Sequence, residues 1–144
     1  MSIITYLYLL PKSSFILIFA FYFMYGISLF GFILSLVALF NNKKTGSAAG
    51  IIIHFATFYI AHAIPKSAGI YTRLLASLVP NLAMSQGVET LWKLEDNEMG
   101  LNFGTMSHLH KNFNMTNYYI MCLINTVLYT LIGIYLTYVS IITK

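Results

Sequence analysis

Acidic side chains are almost missing from this sequence. There are four in 144 residues, and Glu89, Glu95, Asp96 and Glu98 all fall in one stretch, ETLWKLEDNEMG. Basic residues number only eight, and charged residues make up 8% of the chain where a soluble globular domain carries about 25%. Hydrophobic residues reach 58%, against the usual ~45–50%. A water-soluble domain is therefore excluded, and the composition predicts a membrane protein. The single cysteine, Cys122, excludes an intrachain disulfide; inside an apolar run it reads as a small packing residue. Lysine and arginine stand singly or as one pair, with no basic face carrying stacking aromatics, so nucleic acid is not an expected partner.

Long uncharged runs are what the sequence does have. A bilayer core takes roughly 20 helical residues to cross, and three runs reach about that length. They are Phe15 to Phe40, Gly46 to Ile64 and Met115 to Thr143, the second uncharged apart from His54 and His62. Expected spans are thus about 15–40, 46–64 and 115–143 in an all-α fold, as a helical hairpin plus a final span. The opening MSIITYLYLL is too short to cross alone and lacks the flanks of a signal peptide; it reads as the tail of an earlier helix.

Small and polar residues within the runs mark where neighbouring helices sit. Ser28, Gly31 and Ser35 lie at i, i+3 and i+7, while Asn125, Tyr129 and Gly133 lie at i, i+4 and i+8, giving one stripe per helix. Small residues let backbones approach, and polar ones facing lipid would lack partners, so both stripes are expected to face other helices. Gly46 and Gly50 form a small-xxx-small pair just after the short turn NNKKT.

The acids must lie at an interface or in water, because a carboxylate at the bilayer centre costs about 2.5–3.5 kcal/mol. The segment 65–114 is accordingly expected to form a cap on one side, with two short interfacial or re-entrant helices meeting near Gly87 to Gly100. Pro80 interrupts the apolar stretch from Ile70 to Val88, which also carries Arg73; Trp92 and Lys93 suit the headgroup level. Charge counting leaves the orientation open. Lys12, Lys66, Arg73, Lys93 and Lys111 fall on the cap side, and Lys43, Lys44 and Lys144 opposite. A possible glycosylation sequon, Asn114-Met115-Thr116, also lies on the cap side.

Three segments in this order resemble the membrane domain of subfamily A of the ATP-binding cassette transporters, the lipid exporters. They are LFNNKKTGSAAGIIIHF, SLVPNLAMSQGVETLWKLEDNEMGLNF and a final span containing LYTLIGIYLTY. The first is like that family's phenylalanine-rich helix end, polar turn and Ala/Gly-rich helix start. The second is similar to its Ser-Leu-Leu-Ser-Pro/Asn-x-Ala-x-x-x-Gly stretch, here with Asn81 and Gly87. It then follows the pattern Phe-Glu-x-x-Gly-x-Gly-x-x-Trp, in which Glu95 and Gly100 match while Leu94, Glu98 and Phe103 stand for the usual phenylalanine, first glycine and tryptophan. The resemblance covers roughly Phe15 to Ser140. It implies that the three runs are spans four to six of a six-span half-transporter, with the Lys43-Lys44 turn cytoplasmic and the acidic cap exoplasmic. Membrane lipids, the remaining transmembrane helices and nucleotide-binding domains are the partners it implies.

A phosphate-cradling loop needs Gly-x-x-x-x-Gly-Lys-Ser/Thr, and no lysine here follows a glycine. The chain is therefore not expected to be an ATPase or to hold a cofactor; ATP and magnesium would belong to a nucleotide-binding domain absent from it. By the family's architecture this would be a fragment of one transmembrane domain. The alternative is a small standalone structural subunit of a membrane complex. No catalytic triad suggests itself, and no metal site is expected: His54 with His62, and His108 with His110 and Asn112, read more simply as packing or solvated histidines.

Overall fold

A computed structural model describes residues 13–40, 43–63, 68–108 and 113–142 of the protein. The expected helix tail at 1–10 lies outside them, as do Asn41, Asn42, His110 and Asn112. Five helices and no strand occur among the described residues: α1 (Phe15–Ala38), α2 (Lys43–Ala63), α3 (Ile70–Ala76), α4 (Pro80–Asp96) and α5 (Met115–Ile142).

Two helices are long and apolar enough to cross a membrane, α1 over its full 24 residues and α5 over Met115–Val139. The second expected run also forms a helix. Beginning on Lys43 and Lys44, and carrying Thr45, Ser47, His54 and Thr57, α2 is not among the helices that pass on length and apolar character.

Local chemistry sets the boundaries. At α5, the Oδ1 of Asn114 accepts the backbone N–H of Asn117 at 2.7 Å, an N-cap that satisfies one of the helix's free donors. Pro80 stands in the first turn of α4, where its missing N–H costs nothing and its fixed φ suits the helix. The proline therefore starts a helix. This corrects the expectation that the two short helices meet near Gly87 to Gly100: they meet at Ser77–Val79, and α4 runs unbroken through Gly87.

The far end of α4 closes in a Schellman turn. Glu98 N–H donates to Glu95 O at 2.9 Å and Met99 N–H to Leu94 O at 3.0 Å, with Glu98 in the left-handed region at φ 60°.

Helices α1 and α5 run parallel along most of their length: Leu17 is bonded by Tyr119 near their starts, and Ser35 meets Gly133 near their ends. Helix α4 packs on α5, α1 and α2, and α2 also lies against α1. The buried core gathers Ile18, Phe21, Ala83, Leu101, Phe113 and Tyr118, at the end where α1 and α5 begin. On the outside, Ile16, Phe30, Leu131 and Ile134 are each more than 60% exposed, an apolar surface suited to lipid or to further helices.

Candidate functional site

The two stripes meet each other. A Cβ on Gly31 would lie 3.2 Å from Thr130 Oγ1 and 3.5 Å from Thr126 O, and one on Gly133 would lie 3.3 Å from Ser35 N. The hydroxyl of Ser35 donates to Tyr129 O, crossing from α1 to α5, and also reaches Gly31 O at 3.1 Å. Ser28 is fully buried, facing the same way. Asn125 and Tyr129 do something else with their side chains. Asn125 Nδ2 donates to Ser77 O at 2.8 Å and Tyr129 OH to Leu78 O at 2.8 Å, so both hold the α3–α4 junction.

That junction is deep. Asn125 lies ten residues into α5, and Tyr25 ten into α1, about 15 Å along each helix at 1.5 Å per residue. Tyr25 OH donates to Asn81 Oδ1 at 2.9 Å. On its other side, Asn81 Nδ2 reaches Thr57 Oγ1 at 2.7 Å, His54 Nδ1 at 3.0 Å and His54 O at 3.1 Å. One buried amide thus ties α4 to both α1 and α2, and His54 takes the packing role.

Beside it, Gln86 Nε2 donates to Ser77 Oγ at 3.1 Å and to Arg73 O at 3.2 Å, while Ser77 Oγ donates to Arg73 O at 2.8 Å. Arg73 itself is 3% exposed, with its Nη1 3.9 Å from Glu89 Oε2. Sequence reasoning put Arg73 on an interfacial or re-entrant helix and did not single out Tyr25, Thr57, Ser77 or Gln86. The available signal was the placing of uncharged polar residues at helical spacing opposite apolar ones, which Ser77, Asn81 and Gln86 only partly follow because a helix break separates them.

Next to Gln86 on α4, Gly87 permits the closest approach at any described glycine, to Tyr118 and Phe21. Phe21 and Tyr118 stack there at 4.4 Å, and Tyr118 OH donates to Phe21 O at 2.8 Å. A Cβ on Gly87 would stand 2.6 Å from Tyr118 Cδ2 and 2.8 Å from Phe21 Cε2, closer than carbon atoms allow.

The acids divide by use. Glu95 accepts a hydrogen bond from Ser13 Oγ at 2.8 Å, and the same hydroxyl accepts from Leu101 N–H at 2.7 Å. Ser14 N–H donates to Leu101 O at 2.8 Å, completing a clasp between the acidic turn and the start of α1. Asp96 and Glu98 are exposed; Asp96 sits 3.3 Å from Lys93 Nζ on the surface, a pair worth little to stability. Trp92 is exposed beside them.

Of the other candidates, Gly46 approaches Val37 of α1 and Phe40 just past its end, its Cβ position 3.3 Å from Phe40 Cβ. Gly50 faces open space. It helps line a groove of about 380 Å³ between α1 and α2, with Phe32, Ile51, His54 and Phe55. Asn114 is occupied as the α5 cap, and the hydroxyl of Thr116 in its sequon donates to Met106 O at 3.2 Å. Cys122 is buried. His108 is exposed, and among the described residues no group of three or more His, Cys, Asp or Glu side chains could hold a metal ion.

These side chains hold the helices against one another, and that is the chemistry they supply. No protein-family model matches the chain, and no curated protein matches it.

Proposed function

We propose that this chain forms part of the membrane domain of a lipid exporter of ATP-binding cassette subfamily A, contributing to the lipid path and to an exoplasmic cap. The observation that carries the reading is the turn after α4. The family pattern has glycine at two positions there, and both positions, Glu98 at φ 60° and Gly100 at φ 62°, adopt the left-handed backbone that favours glycine. The backbone thus keeps the pattern where the side chain departs from it. Asn81 and Gly87, two other matching positions, sit at contacts between helices, and Glu95 at a contact with Ser13 just before α1.

In this reading α1, α2 and α5 are three spans of a multi-pass protein, and α3 with α4 is a re-entrant pair reaching the mid-membrane. The Lys43-Lys44 turn is cytoplasmic and the acidic turn exoplasmic. ATP and magnesium act in a nucleotide-binding domain outside this sequence, and the contact between α1 and α5 moves as one body when that domain closes. The rigid pairing of Gly31 with Thr130 and of Gly133 with Ser35 supports such a unit.

Two observations test it together. A sequon engineered beside the exposed Asn102 should be glycosylated in microsomes, and one in a lengthened Lys43-Lys44 turn should not; the reverse pattern overturns the orientation. The transcript should run in frame into a Gly-x-x-x-x-Gly-Lys-Ser/Thr domain. A stop immediately after Lys144, with no spans encoded upstream, overturns the pump and leaves a structural subunit.

A further inference from the structure

Among the described residues, Ser28 Oγ, Gln86 Oε1 and Asn125 Oδ1, around the α3–α4 junction, are buried and have no hydrogen-bond partner. Their residues are 0%, 5% and 0% exposed. Buried polar groups in folded proteins are almost always satisfied, by protein or by ordered water, and the demand is stricter in a bilayer.

The three converge. Gln86 and Asn125 both spend their amide N–H groups on Ser77, at 3.1 Å to its Oγ and 2.8 Å to its O, which brings their carbonyl oxygens to the same helix break. Ser28 follows Phe21 by two turns just as Asn125 follows Tyr118, and the Phe21 and Tyr118 rings stack at 4.4 Å. In parallel helices that register sets Ser28 level with Asn125.

We infer that a buried water molecule occupies this junction and links α1, α4 and α5. It donates one proton to Asn125 Oδ1 and the other to Gln86 Oε1, and accepts the hydroxyl proton of Ser28. Two protons and a lone pair match two acceptors and a donor, and three bonds is the usual complement of an internal water. A cation fits less well: the set contains no carboxylate, and the buried Arg73 lies one turn before Ser77 with Glu89 as its ion-pair partner. The inference does not depend on the transport reading, since it rests on this chain's own atoms.

Solid-state NMR of the full chain in lipid vesicles, with polarisation transferred from water, tests it. Signal should build up early at the side chains of Asn125, Gln86 and Ser28. It should be absent at the exposed apolar Leu131 and Ile134, and at Asn81, which has both ends of its amide partnered within the protein. Ser28→Ala should keep the signal at Asn125 and Gln86, because two acceptors remain. Asn125→Leu should lose it at Gln86 and Ser28 while the chemical shifts of Gly31 and Thr130 stay unchanged. Equal build-up at Asn125 and Leu131 means a dry junction and overturns the inference. So does early transfer at Asn81 as well, which would mean bulk water rather than one bound molecule.

Discussion

The two ends of α1 are built on different terms. Where the helix begins, five segments crowd together: Ser13 bonds Glu95 and Leu101, Leu17 is held by Tyr119, and Phe21 stacks on Tyr118 under α4. Where it ends, α1 has α5 on one side and, on the other, α2 across an apolar groove of about 380 Å³. Glycine shows the difference most directly. At Gly87 the missing side chain is the condition for contact, while at Gly50 nothing lies within 4 Å of where a Cβ would stand. A small residue in an apolar helix is thus a packing site only where a partner has come to meet it, which its own helix cannot ensure.

Substitutions can break this comparison. Gly87→Ala should cost the most, about 3 kcal/mol, because the stacked Phe21–Tyr118 pair must separate to admit a methyl group. Gly50→Ala should be neutral, or stabilise by at most about 1 kcal/mol through helix propensity. Reversible unfolding in mixed micelles, followed by tyrosine and tryptophan fluorescence, measures both; equal costs would mean that the two ends are packed alike.

Next in size is Asn81→Ala, expected to lose about 2 kcal/mol because Tyr25, Thr57 and His54 give up a shared partner. Tyr25→Phe should cost less, about 1 kcal/mol, and the double variant should cost less than the sum. Additive losses would show that the three helices are not coupled through this amide.

The smallest effect sharpens the picture of the acidic turn. Glu98→Gly should stabilise by about 1 kcal/mol, since a non-glycine residue in the left-handed region costs about that much. If melting falls instead, the carboxylate contributes more than its backbone strain removes.

Much of the architecture was legible beforehand because apolar length and helical spacing are local properties. Ser28, Gly31 and Ser35 share one face of α1 by arithmetic alone, and the run from Met115 had to be helical to satisfy its backbone in an apolar setting. Harder to read was the region around Pro80. A proline in an apolar stretch breaks or starts a helix with equal ease, and the outcome depends on whether Ser77 and Leu78 find donors in Asn125 and Tyr129 from 40 or more residues away. The burial of Arg73 was hidden for the same reason: its ion-pair partner Glu89 lies one helix later.

By itself, then, the sequence determined an all-helical fold with long apolar runs, three of them expected to span where the structure has two helices fit to cross a membrane, and it gathered the acids in one stretch, Glu89 to Glu98. Composition and periodicity suffice for that, because each residue pays its own cost of leaving water. Only the tertiary structure decided which residues of each stripe touch, that Glu95 closes a clasp on Ser13, and that Asn81 joins three helices. Those outcomes depend on distances between segments remote in the chain, and a hydrogen bond made or missed across such a gap leaves no mark on the local pattern.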